Sequence, residues 1–242
     1  MTRSRKSTKT ALITGGAKRI GKALAEELAK QGYAIALHYN NSITAAQSVQ
    51  KHLNRRTCCA IFPCDLADSD RVEMLILDVL KIFGRLDVLI NSASIFEPGS
   101  IRKSSLEEFD RHMAVNFKAP LILTSAFARL CRRGHIINIL DTNVVKNKIS
   151  HVPYFLSKKS LFELTKLSAM ELGPEIRVNA VAPGLILPPE GEDAAYLNRR
   201  ATRLPLKKRG SVHDVCSAVT FLLKQPYVTG QVIFADGGEH LI

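Results

Sequence analysis

The sequence predicts a single-domain α/β protein, a doubly wound parallel sheet with helices on both faces. Three observations carry that prediction. Short apolar runs alternate with longer amphipathic stretches along the chain, the pattern of strand–helix–strand units that builds a parallel sheet. The chain is 242 residues long, with no internal repeat and no linker dividing it, and one core can still serve that length. A glycine-rich turn, Thr14-Gly15-Gly16-Ala17-Lys18-Arg19-Ile20-Gly21, joins the first apolar run to the first helical stretch.

The elements follow in order. Thr10 to Thr14 reads as a strand and Lys18 to Gln31 as a helix stopped by Gly32, since glycine takes the left-handed conformation that closes helices. Tyr33 to Tyr39 is the second strand, and Ser42 is placed to cap a helix running to Asn54. Thr57 to Phe62 is a strand, Asp68 to Phe83 a helix and Leu86 to Asn91 a strand. A long helix starts at Ser105, where Ser105 and Glu108 have capping-box spacing. His135 to Leu140 is a strand, Pro153 to Leu172 a helix closed by Gly173-Pro174, and Ile176 to Ala182 a strand. Ser211 to Leu223 is a helix with Ser211 and Asp214 as its cap pair, and Gln231 to Phe234 is the last strand. Residues 185–210 lack clear periodicity and carry Pro188, Pro189 and Gly191. They read either as a segment covering a substrate or as a surface loop.

Composition excludes some classes. No apolar run approaches the ~18 residues of a membrane span, so no membrane partner is expected. Residues 1–8 read as a basic flexible tail with Arg3, Arg5 and Lys6, without the apolar stretch of a secretory signal. Residues 9–242 form the domain. The net charge of +12 favours anionic ligands without choosing among phosphates, carboxylates and nucleic acid. Five cysteines (Cys58, Cys59, Cys64, Cys131 and Cys216) show no zinc spacing, so no metal is expected. Cys58 and Cys59 lie in an apolar run and are expected to be buried thiols, which suits a reducing cytoplasmic location.

The chemistry starts at the glycine turn. Glycines between a strand and a helix let backbone approach a phosphate, and the helix N-terminus offers free N–H groups to it. Lys18 and Arg19 add positive charge. The second strand ends in His38-Tyr39-Asn40-Asn41-Ser42, and no Asp or Glu occurs between Glu27 and Asp65. A site selecting NAD places an acid near here for the ribose 2′-hydroxyl. Its absence, with Asn40, Asn41 and Ser42 as donors, points to NADPH.

Tyr154 and Lys158 stand four apart, on one helix face. A lysine ammonium beside a phenol is expected to lower the phenol's pKa towards neutrality, making Tyr154 a proton donor near pH 7. Asp141, thirteen residues before Tyr154, adds a second ionisable group for a relay.

Taken together, these motifs resemble the short-chain dehydrogenase/reductase family over nearly the whole chain. The matching residues are Thr14-Gly15 to Gly21, Asp65-Leu66, Asn91-Ser92-Ala93, Asn116, Tyr154 with Lys158, Pro183-Gly184 and Asp236-Gly237-Gly238. The resemblance implies a Rossmann-type sheet. It also implies that Asp65 reads the adenine amino group and Leu66 adds a main-chain contact. Asn91 and Ala93 line the cofactor, with Ser92, Ile20, Pro183 and Gly184 also at its site. Asn116 holds a water of the proton relay, Lys158 binds the nicotinamide ribose, and dimers or tetramers form through the long helices and last strand.

Three departures narrow it: Arg19 stands where glycine is usual, Ser92 where a second Asn is usual, and Asp141 where Ser is usual. Lys18-Arg19, His38-Tyr39, Ser94, Phe96 and Asp141 resemble the pteridine reductases and bacterial dihydromonapterin reductases. That branch implies that Phe96 stacks a pterin against the nicotinamide and that Arg19 and Ser94 touch both cofactor and pterin. The expectation is an NADPH-dependent reductase of a dihydropterin or dihydromonapterin, with dihydrofolate also considered, working as a homotetramer or dimer. A carbonyl reductase acting on 3-oxoacyl, sugar or steroid ketones is the alternative, with Asp141 a replaced serine and Phe96 loop packing. A third reading is a non-enzymatic NADP-binding or nucleic-acid-binding protein, motivated by charge. A nucleic-acid partner is not expected, because a binding module has no need of both Tyr154 and Lys158. The basic stretch from Arg199 to Arg209 reads as solvated surface, or as an attraction for an acidic substrate tail.

Overall fold

The computed structural model describes residues 8–189, 191 and 193–242. Of the basic tail expected over residues 1–8, all but Thr8 lies outside the described residues. The strands are β1 (Thr10–Ile13), β2 (Ala34–Tyr39), β3 (Cys59–Pro63), β4 (Val88–Asn91), β5 (Gly134–Ile139), β6 (Ile176–Pro183) and β7 (Val232–Ala235). The helices are α1 (Arg19–Lys30), α2 (Ile43–Leu53), α3 (Ser69–Phe83), α4 (Leu106–Met113), α5 (Ala119–Cys131), α6 (Val152–Leu172), α7 (Ala194–Ala201) and α8 (Val212–Lys224). Among the described residues the strands form one parallel sheet in the order β3-β2-β1-β4-β5-β6-β7.

Strand alternation divides the core. Ile13, Ile35 and Leu37 face one side, against Leu24 and Leu28 of α1 and Val215 and Val219 of α8. Leu12, Ala36, Leu89 and Ile136 face the other, against Val72 and Ile76 of α3 and Leu123 and Phe127 of α5. Each of these leucine, isoleucine, valine and phenylalanine side chains stabilises the fold by about 1.5–3 kcal/mol. The order reverses between β1 and β4, so a crevice opens at their carboxyl ends, where ligands bind in such sheets.

Several local expectations hold. Asp68 accepts from the N–H groups of Asp70 and Arg71 at the start of α3, and Gly84 ends it at φ 73°. Ser105 and Glu108 form their capping box, and Asp214 accepts from the N–H and hydroxyl of Ser211. Others need correction. Ser42 sits at the cap of α2 but makes no side-chain capping bond. Cys58 is exposed while Cys59 is buried, because β3 is an edge strand beginning only at Cys59.

The long helix after Ser105 is interrupted by a π-helical segment, Ala114–Lys118, between α4 and α5. Pro120 supplies the reason: it has no N–H to return to the carbonyl of Asn116, four residues back. The ladder instead widens, and the Ala119 N–H bonds Ala114 O. Within the aperiodic stretch 185–210 lies α7, capped by Asp193, whose side chain accepts from Tyr196 N–H. Leu185, Leu197 and Leu204 give that segment a small core of its own. No helix among the described residues is long and apolar enough to cross a membrane.

Candidate active site

A cavity of about 900 Å³ opens at the carboxyl ends of the strands. At one end, β1 feeds the glycine turn. Gly15 has φ 65°. A Cβ on Gly21 would lie 2.3 Å from Gly15 O, so only glycine lets α1 start this close to the turn. Thr14 Oγ1 accepts from the N–H groups of Ser92 (2.9 Å) and Ala93 (3.0 Å), tying the turn to the loop after β4. Lys18 is the cap residue of α1, whose first turn carries no acid. Arg19 adopts φ 51°, a conformation non-glycine residues resist. Its guanidinium donates to Pro188 O at 2.9 Å.

His38 is locked in one tautomer. Gly15 N–H donates to its Nδ1 at 3.0 Å, so Nε2 carries the proton and donates to Cys64 O at 2.9 Å. Burial pushes its pKa down, and the neutral ring couples the glycine turn to the end of β3.

Most of the expected residues converge on the cavity wall: Gly15, Lys18, Arg19, Ile20, Gly21, His38, Asn40, Asp65, Leu66, Ser92, Ala93, Ser94, Phe96, Asp141, Tyr154, Lys158, Pro183 and Gly184. Tyr39 packs into the core instead. Asn41 and Ser42 lie outside the wall. Asn91 sits behind it, donating to Asn138 Oδ1 at 2.8 Å and bracing β4 against β5. Asn116 is also behind the wall. Its Oδ1 accepts from Ser94 Oγ (3.1 Å) and Ile95 N–H (2.9 Å), and its amide donates to Ile95 O and Ser157 Oγ, both at 3.0 Å. The Asn116 side chain therefore fixes the Ser94–Ile95 segment and is fully engaged there.

At the centre, the Tyr154 hydroxyl donates to Asp141 Oδ2 at 3.0 Å. Asp141 Oδ1 accepts from the backbone N–H and side-chain amide of Asn143, each at 2.7 Å. Lys158 is buried, with Nζ on Ile139 O at 2.8 Å. One electrostatic expectation is overturned: Tyr154 is not pulled towards neutrality by Lys158. Burial, then the Asp141 carboxylate, push its pKa well above the ordinary tyrosine value. Lys158 is itself pushed down to about 8 by burial. Tyr154 is thus held as a neutral phenol with its proton aimed at a carboxylate.

The other end of the cavity contains Arg200, from the basic stretch, with three residues the sequence did not single out: Lys148, Tyr196 and Glu239. The ring of Phe96 stacks on His151 (4.2 Å between centroids, 6° between planes) and meets Tyr154 edge-on at 4.7 Å. The basic stretch divides: Arg199, Arg203, Lys207, Lys208 and Arg209 are exposed, whereas Arg200 lines the cavity. The segment after β7 is pinned by Asp236. Its carboxylate accepts from Thr142 Oγ1 (2.5 Å), Gly238 N–H (2.9 Å), and the N–H and ring Nδ1 of His240 (each 2.8 Å).

Comparison with known proteins agrees with this geometry. Residues 15–240 match the family model described as enoyl-(acyl carrier protein) reductase. The 3-oxoacyl-[acyl-carrier-protein] reductase FabG of Staphylococcus aureus is 31% identical, over 98% of this chain and 100% of that protein. The crystal structure of FolM alternative dihydrofolate reductase 1 from Brucella canis, complexed with NADP, superposes with a TM-score of 0.93 at 32% identity, covering 99% of this chain and 97% of that one. A blue fluorescent protein from a metagenomic library, in complex with NADPH, superposes with a TM-score of 0.87 at 32% identity, covering 95% and 97%. With its glycine turn, its Tyr154–Lys158 pair and these likenesses along its length, the chain belongs to the short-chain dehydrogenase/reductase family of oxidoreductases.

Proposed function

We propose that this oxidoreductase uses NADPH to reduce a pterin-type substrate, a dihydropterin or dihydromonapterin, with dihydrofolate a larger substrate of the same ring. The observation that carries this reading is the 3.0 Å bond from the Tyr154 hydroxyl to Asp141 Oδ2. The resemblance puts a serine where Asp141 stands in most members of the family, and a serine hydroxyl can help Tyr serve a developing alkoxide. A carboxylate is a poor substitute there, because two negative charges repel. A dihydropterin offers a ring C=N bond instead. Its reduction needs hydride on carbon and a proton on nitrogen. A phenol kept protonated by its surroundings can donate that proton, and Asp141 can pass one on or accept a ring N–H. The likeness to the Brucella dihydrofolate reductases supports the same choice.

The cofactor fits this chain. Gly21 leaves no room for a Cβ, Lys18 and Arg19 stand at the N-terminus of α1, and no acid between Glu27 and Asp65 repels a 2′-phosphate. Bound there, NADPH supplies the hydride. Gly15 and Ala93 would border it closely, Asp65 and Leu66 would hold the adenine end, and Lys158 would orient the ribose. Residues 185–210, with Arg19 tied to Pro188 O, would cover the substrate. Asn116 would act through the Ser94–Ile95 segment it fixes. Exposed Leu156, Leu167 and Met170 on α6 fit a homotetramer or dimer.

Steady-state NADPH oxidation with 7,8-dihydropterin, dihydrofolate and a β-keto ester tests the reading, in the parent and in Asp141→Ser. The expected result is turnover of a pterin that falls at least ~100-fold in the variant, the usual worth of a positioned acid or base. The likeness to 3-oxoacyl-[acyl-carrier-protein] reductase favours a second reading, a ketone reductase. Ketone turnover without pterin turnover, preserved or raised in Asp141→Ser, would establish that one instead.

A further inference from the structure

Beyond Tyr154 and Asp141 the cavity ends in a wall that carries two cations, Lys148 and Arg200. Helix α7 delivers the second. Leu197 and Ala201 bury its inner face, and Arg200, three residues after Leu197, falls on that side, while Arg199 faces solvent. The Arg200 guanidinium donates to Tyr196 Oη at 2.8 Å and to Glu239 Oε1 at 3.4 Å. Those bonds engage two of its five N–H groups. They fix the plane of the group and leave its remaining donors available, with 41% of the side chain exposed.

Lys148 brings the other charge. It is exposed and lines the same cavity. Among the described residues its ammonium has no carboxylate within ion-pair distance, and it lies 6.0 Å from the centroid of the Phe155 ring. Partial burial holds its pKa below the ordinary lysine value; Glu239 opposes that shift and Arg200 adds to it. The nearby acid does not neutralise this wall for an incoming ligand. Glu239 is 7% exposed, and its Oε2 is closed off from solvent. What the cavity presents at this end is therefore ammonium and guanidinium, and an anion seated between them would offset both the desolvation of Lys148 and its repulsion by Arg200.

We propose that Lys148 and Arg200 form a subsite for an anionic group, carboxylate or phosphate, carried on the substrate's side chain at the end away from the ring that is reduced. A guanidinium pairs with either anion through parallel N–H groups, and a lysine on its flexible stem adds a point charge. The assignment rests on the pterin reading above and adds to it that the pterin's side chain is acidic.

The test is a set of KM ratios with NADPH saturating. Dihydrofolate is compared with its uncharged diester, and the phosphate monoester of 7,8-dihydromonapterin with 7,8-dihydromonapterin itself. In the parent, the charged member of one pair should have a KM at least ~10-fold lower, the worth of a charge-assisted hydrogen bond, and high ionic strength should erode that advantage. The pair that shows it identifies the anion as carboxylate or phosphate. In Lys148→Met and in Arg200→Gln the ratio should fall at least ~3-fold; being a ratio within one protein, it is insensitive to a general loss of fold or activity. Pterin turnover with equal KM for charged and neutral members would overturn the subsite and leave the pterin reading standing. So would an advantage in the parent that salt does not erode, or one that survives in both variants. A parent that reduces no pterin, neutral or charged, yet reduces a β-keto ester, would overturn both.

Discussion

Replacing Lys158 with Met should abolish reduction and yet not destabilise the protein at neutral pH. The reasoning is a linkage argument. Burial pushes Lys158 from its ordinary 10.5 down to about 8. At about 1.4 kcal/mol per pH unit, keeping it charged costs the folded state about 3 kcal/mol at pH 7. Methionine fills similar space without that charge, but leaves Ile139 O without the ammonium that now donates to it at 2.8 Å, a loss of about 1–3 kcal/mol. At pH 7 Lys158→Met should therefore be between neutral and about 2 kcal/mol more stable than the parent. The sign follows from proton counts. From pH 8 to 10.5 the unfolded chain still holds a proton that folded Lys158 has released, so this lysine's penalty fades as pH rises and grows again as pH falls. The parent should gain roughly 2–3 kcal/mol on the variant between pH 7 and pH 10. Urea unfolding of both proteins across that range measures the difference, in which titrations common to both cancel. Parallel profiles would refute the claim that Lys158 is charged at a cost. A variant several kcal/mol less stable at pH 7 would show that its packing, not its charge, dominates.

Other outcomes are expected. Gly21→Ala places a Cβ 2.3 Å from Gly15 O, so NADPH affinity, read by cofactor fluorescence, should fall ~100-fold or more, equivalent to about 3 kcal/mol. Lys18→Ala should raise the KM for NADPH by ~10-fold while leaving that for NADH nearly unchanged, the difference expected of a charge that serves the 2′-phosphate. Burial, then the Arg177 guanidinium, push His135 down to about 3. The unfolded chain gains a proton below its ordinary 6.5 that the folded chain refuses, so stability is lost as pH falls from there, by about 2 kcal/mol at pH 5. His135→Gln should flatten that acid limb in a denaturant series.

The strands were legible because both sheet faces are covered, so Ala11–Ile13 and Ile35–Leu37 are apolar without interruption. The glycine turn was legible because its backbone tolerates few alternatives. Alternation also held a signal that was overlooked: neighbours on a strand point to opposite faces, so His38 and Tyr39 could not both line one cavity. The break in the long helix turns on one missing N–H at Pro120, which a capping and periodicity reading passes over. Glu239 was invisible, and Arg200 indistinguishable from its basic neighbours, for a different reason. Their chemistry depends on which distant strand ends meet, and no spacing in the chain links Glu239 to Asp141. The Tyr154–Lys158 spacing conveyed their proximity but not the desolvation that keeps the phenol neutral.

Arg19 carries a further consequence. Its guanidinium is engaged with Pro188 O while its backbone stays at φ 51°. A phosphate recruiting that guanidinium competes with the carbonyl of Pro188. The two partners are thermodynamically reciprocal: whatever factor phosphate imposes on that bond, the bond imposes on phosphate affinity. A glycine at this position would relieve the backbone and sever that coupling in one step.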